Sequence, residues 1–83
     1  MRLRKQELGD RNLVGARVEA ARKKKGMKQK ELLAQLQVNG VDMNASGLSK
    51  LEGQTRSATD IEIKAIATIL GVTMEELMND KEQ

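Results

Sequence analysis

Ser46 and Lys50 stand four residues apart, on one face of any helix that carries them. A serine and a lysine so placed could act as nucleophile and base, if the lysine were buried and an oxyanion hole lay beside them. Nothing else in the chain supports that chemistry. There is no histidine, so the usual general base near neutral pH is missing. There is no cysteine, which removes disulfides and thiolate metal sites and fits a reducing compartment. Eighty-three residues also leave little room for a substrate cleft. No catalytic residue, metal or cofactor is expected. The chemistry that remains is charge and hydrogen bonding at a surface.

That charge is unevenly placed. Residues 1–30 carry eleven Lys/Arg against three acids, a local +8, whereas residues 31–83 carry four against nine, a local −5. A chain polarised in this way can attract a polyanion with its basic end. The plainer reading of the lysine run at 23–25 is a solvated helix end. No apolar run is long enough to span a membrane, and the opening MRLRKQELGD lacks a signal-peptide core, so a cytoplasmic protein is expected.

Five helices are needed to position these groups, and no segment reads as a strand, so the expected fold is all-α. The first spans about 12–25, with Val14, Val18 and Ala21 inward and Gly26 at its end. The second spans about 28–37, with Leu32, Leu33 and Leu36 inward, and Asn39-Gly40 marks a turn. The third spans about 44–53, capped by Asn44 or Asp42. The fourth, about 59–70, opens on the capping box Thr59-x-x-Glu62, buries Ile63, Ile66, Ala67 and Leu70, and stops at Gly71. The fifth, about 73–79, opens on a second box, Thr73-x-x-Glu76, with Leu77 inside. Residues 1–11 form a basic arm (Arg2, Arg4, Lys5, Arg11), expected to be flexible, and 80–83 a short tail.

Around the third helix, Leu48 and Leu51 share the core face. Ser46, Lys50 and Gly53 point away from it, with Ser49 and Gln54 on the flanks. This outward face is short, polar and singly basic, as suits a helix pressed into the major groove of a duplex. An ordinary solvent-facing helix is the alternative, although such helices usually carry more long charged residues. Gly47 costs about 1 kcal/mol relative to alanine inside a helix, and close approach to DNA would be a reason for it. Glu52 falls on the inner side and needs a partner, for which Arg22 on the first helix is the candidate. Gln29 is a polar residue on a buried stripe. Its amide can reach past the helix start towards a phosphate, or serve as a local cap.

Taken in order, the segments LVGARVEAARKKKGMKQKELLAQL, GLSKLEG and TDIEIKAIATILGVTMEELM resemble the phage-repressor type of helix-turn-helix regulators, the Xre/Cro class. The resemblance covers about residues 12–79. It implies a compact five-helix, lambda-repressor-like domain that binds double-stranded DNA, often as a dimer on paired half-sites. It further implies a phosphate contact at Gln29, an inter-helix ion pair between Arg22 and Glu52, and groove-facing roles for Asn44, Ala45, Ser46 and Lys50. The chain departs from the family pattern in four places. The turn QVNGVDMN is longer than the usual form. Leu33 replaces a small alanine. EGQ stands where E-x-G is usual, and no proline follows Arg56.

The expected function is therefore a sequence-specific regulator, a repressor by type. Asn44, Ser46, Ser49 and Lys50 would lie at base edges, and Lys28, Gln29, Arg56 and the basic arm on phosphates. The alternative is a protein-interaction module on the same fold, such as an antitoxin or a bridging component. Ile61, Ile69, Met74 and Met78 would then supply a homodimer or partner seam rather than complete the core.

Overall fold

The computed structural model describes residues 12–78, so the basic arm, Asn79 and the tail lie outside the described residues. Those described form five helices and no strand: α1 Gly15–Lys24, α2 Gln29–Val38, α3 Ala45–Glu52, α4 Asp60–Leu70 and α5 Met74–Met78. The fold is all-α, as the hydrophobic periodicity requires. α3 packs against α1 and α2, and α4 packs against α2, α1 and α5.

Each boundary has a local cause. α1 starts three residues later than its apolar spacing suggests, because Asn12 caps it from outside. The Asn12 Oδ1 accepts the N–H groups of Val14 (3.0 Å) and Gly15 (2.6 Å), taking up donors that a helix start leaves unpaired. The same helix ends at a left-handed Gly26 (φ 77°), with Met27 N–H donating to the Arg22 carbonyl at 3.0 Å. Both expected capping boxes form. Thr59 N–H donates to Glu62 (3.0 Å) while Glu62 N–H donates to the Thr59 hydroxyl (3.1 Å). At α5 the matching bonds between Thr73 and Glu76 are 2.7 and 3.0 Å. Gly71 closes α4 in the left-handed region.

The long segment between α2 and α3 is not a solvated loop. Gly40 turns with φ 84°, Val41 N–H donates to the Leu36 carbonyl at 2.9 Å, and Val41 and Met43 are both buried in the core. Gln37 Nε2 donates to the Met43 carbonyl at 3.0 Å. The extra residues thus add two apolar side chains to a small core, alongside Val14, Val18, Leu32, Leu36, Leu48, Leu51, Ile66 and Leu77. Leu33 is only half-buried, packing on the rim of that core instead of pointing into it.

Candidate nucleic-acid interface

α3 is held by its apolar side and presents its polar one. Leu48 and Leu51 are fully buried, whereas Asn44, Ala45, Ser46, Ser49 and Lys50 are all exposed. Lys50 is therefore a solvated cation rather than the desolvated lysine that a Ser–Lys nucleophile needs. Asn44, and not Asp42, caps the helix: its Oδ1 accepts Gly47 N–H at 2.7 Å. That cap supplies an internal reason for Gly47, since a Cβ there would sit 3.1 Å from the Asn44 Oδ1. Gly47 is also half-buried, so close approach to DNA is not needed to account for it.

Two placements on this helix are corrected. Gly53 is half-buried, and Gln54, expected on the outward flank, is fully buried. The cause is the order of residues at the helix end. Gly53 keeps a right-handed φ of −82°, and the left-handed position that usually takes glycine falls one residue later, on Gln54 (φ 64°). That turn sends the Gln54 side chain inward, where its Nε2 donates to the Asn12 carbonyl at 3.1 Å and its Oε1 finds no hydrogen-bond partner among the described residues. The EGQ departure was the visible sign of this inversion, although its consequence depends on Asn12, 42 residues away.

The expected pair between Arg22 and Glu52 forms as a two-point contact. Arg22 Nε donates to Glu52 Oε2 at 2.8 Å and Nη2 to Oε1 at 3.1 Å, with both residues buried. Arg22 Nη1 also donates to the Met27 carbonyl at 2.9 Å. Gln29 completes the cluster, its Nε2 donating to Glu52 Oε1 at 3.0 Å. One N–H of its amide is thus committed to the end of α3, which leaves the second N–H as a donor, and the amide does not serve as a local cap. Lys28 stands beside it, exposed, with its backbone N–H on the Glu31 carboxylate at 2.7 Å. The cluster joins α1, α2 and α3 and brings Lys28 and Gln29 to the C-terminal end of α3.

Arg56 lies on the turn after α3 and lines a groove with Gln37, Asp42, Met43, Asn44 and Gly47, beside the start of that helix. Its Nη1 and Nη2 face the two oxygens of Glu62 at 3.2 and 3.1 Å. Burial of Glu62 opposes its ionisation, but the Arg56 hydrogen bonds, the Thr59 N–H and the Arg56 charge outweigh it and hold the carboxyl below the usual glutamate range. The backbone of Arg56 is fixed as well, because Asn12 Nδ2 donates to its carbonyl at 2.7 Å and to that of Leu51 at 3.1 Å. Neither Asn12 nor the Arg56–Glu62 pair was signalled by local sequence pattern.

The exposed lysines 23, 24, 25, 28 and 30 extend the basic side from the end of α1 into α2, while Asp60, Glu75 and Glu76 are exposed on α4 and α5. Among the described residues, no group of three or more acidic side chains lies close enough together to hold a metal ion, and no helix is long and apolar enough to cross a membrane. Comparison with protein-family models, with curated proteins and with solved structures returns no match to this chain.

Proposed function

We propose that this chain is a double-stranded DNA-binding transcriptional regulator of the phage-repressor, helix-turn-helix type, with α3 as the helix that enters the major groove. One observation carries the proposal. α3 offers a short, polar, singly basic exposed face, and the buried Arg22–Glu52 pair with the half-buried Gln29 fixes its far end to the two preceding helices. Ser46, Ser49, Lys50 and Asn44 would meet base edges, with Ala45 on the approach, while Lys28, Gln29, Arg56 and the basic arm would meet phosphates. The protein would act in the cytoplasm by occupying an operator, as a repressor and without catalysis.

Titration against random duplex at low and high salt is the first test. Binding should weaken with a log–log slope of about −0.9 per phosphate contacted. Selection of bound sequences from a random duplex library would then give the motif and, through half-site spacing, the oligomeric geometry. Lys50→Ala should relax preference at one position by about 1–3 kcal/mol. Full retention of specificity in that variant would remove Lys50 from the contact map.

A second reading, a protein-interaction module on the same fold, is favoured by a different observation. Val38 and Ile61 are 87 and 71% exposed, and Met78 is 45% exposed, on a domain with few apolar residues to spare. Of the four residues expected to form a seam, Ile69 and Met74 pack against the core and only Ile61 and Met78 remain outside it. Absence of any salt-sensitive duplex binding would favour this second reading.

A further inference from the structure

Among the described residues of the candidate phosphate-contacting set, Arg56 is the cation already engaged by a carboxylate, and the geometry of that engagement has a consequence for binding. We infer that Glu62 is a counter-charge on Arg56: it neutralises the arginine in the free protein and so restrains the non-specific affinity of the interface for duplex phosphates. This rests on the DNA-binding reading above and adds to it a residue that sets its strength.

The contact is end-on, with one nitrogen on each carboxylate oxygen at 3.1–3.2 Å, the arrangement in which arginine meets carboxylate or phosphate most effectively. A phosphate seeking the same fork must displace Glu62. The carboxylate is not free to swing aside, because its Oε1 also accepts Thr59 N–H at 3.0 Å and its side chain is only 10% exposed. Arg56, 31% exposed, is the partner that can be reached from solvent. Its carbonyl is tied to Asn12, so the guanidinium exchanges partners by side-chain rotation and not by movement of the turn. Two acceptors therefore compete for one cation, with the internal one already in place.

The test is a double-mutant cycle read by titration with random duplex across a salt series. Glu62→Gln keeps a side-chain oxygen for the Thr59 cap, since glutamine serves in capping boxes. It removes the negative counter-charge that faces Arg56 and leaves the guanidinium cationic. Binding to random duplex should tighten about two- to fivefold, the range expected for releasing a partly exposed ion pair. The salt slope should steepen by up to about 0.9, because the Arg56 charge is no longer offset by Glu62 at the phosphate it meets. In an Arg56→Gln background the same change should do nothing, and Asp60→Asn, an exposed acid at the start of the same helix, should reproduce neither effect. Unchanged or weaker binding by Glu62→Gln overturns the inference, as does tightening that persists without Arg56 or is matched by Asp60→Asn. Should Glu62→Gln lose its helical signal, the wild-type chain supplies the reading: nitrogen resonances of the Arg56 guanidinium should move on adding duplex, and their persistence unchanged in a saturated complex would overturn it. If the wild-type chain binds no duplex even at low salt, it is the DNA-binding proposal that fails.

Discussion

Arg22 and Glu52 are a buried pair, and removing one partner strands a charge away from water. Arg22→Ala or Glu52→Ala should each cost about 3–5 kcal/mol. That is a large share of the roughly 4–12 kcal/mol expected of 83 residues, so thermal melting should show a sharply lowered midpoint in either variant. Gln29→Ala removes one hydrogen bond to the same carboxylate and should cost far less. Gly15 is equally intolerant for a steric reason. A Cβ there would be driven into the Leu51 carbonyl oxygen and would stand 2.9 Å from Gln54 Cγ and 3.0 Å from the Glu52 carbonyl. α1 and the end of α3 therefore touch backbone to backbone, and Gly15→Ala should lower the melting temperature despite the better helix propensity of alanine. A neutral or stabilising outcome would mean that the two helices can separate without cost. Glycine at 15 looks like an unfavourable helix residue in sequence; only the crossing of α1 and α3 accounts for it.

At the scale of the element, the stability of α4 responds to pH. The carboxyl of Glu62 is held below its ordinary value, so the folded state binds its proton less readily than the unfolded chain does. The stabilisation is fully present above the unfolded glutamate range and is lost as pH falls through the lower, folded value. Denaturant midpoints measured through the acid range should therefore fall in that window. The loss should be smaller in Arg56→Gln, where the main source of the shift is gone. Thr59→Ala removes the other half of the box and should cost about 1 kcal/mol at any pH. Its Thr59–Glu62 pattern was legible because a capping box is complete within four residues. The partner that turns this cap into part of the candidate interface, Arg56, belongs to the preceding turn and carries no spacing rule.

For the whole molecule, the exposed apolar residues and the charge asymmetry make distinct demands. Val38 and Ile61 lie on α2 and α4, and Ile61 lines a shallow groove with Val41, Lys64 and Ala65. If these two exposed residues support self-association, Val38→Ser with Ile61→Ser should yield a smaller species by sedimentation at concentrations where the wild type is dimeric, with folding intact because neither residue is buried. The same mass for both chains would assign those residues to ordinary surface. By itself the sequence determined what is local: five helices from i, i+3 and i+4 apolar spacing, two capping boxes, the glycine stops after α1 and α4, and the short outward face of α3. These follow from neighbours within a turn or two of one another, where backbone geometry dictates who meets whom. The tertiary structure decided the rest. Asn12 and Gln54 find each other across 42 residues, Val41 and Met43 turn a long loop into core, and Gln29 bends back to Glu52, 23 residues on. Such contacts depend on the angle at which one helix crosses another, which packing sets only when all five helices are in place.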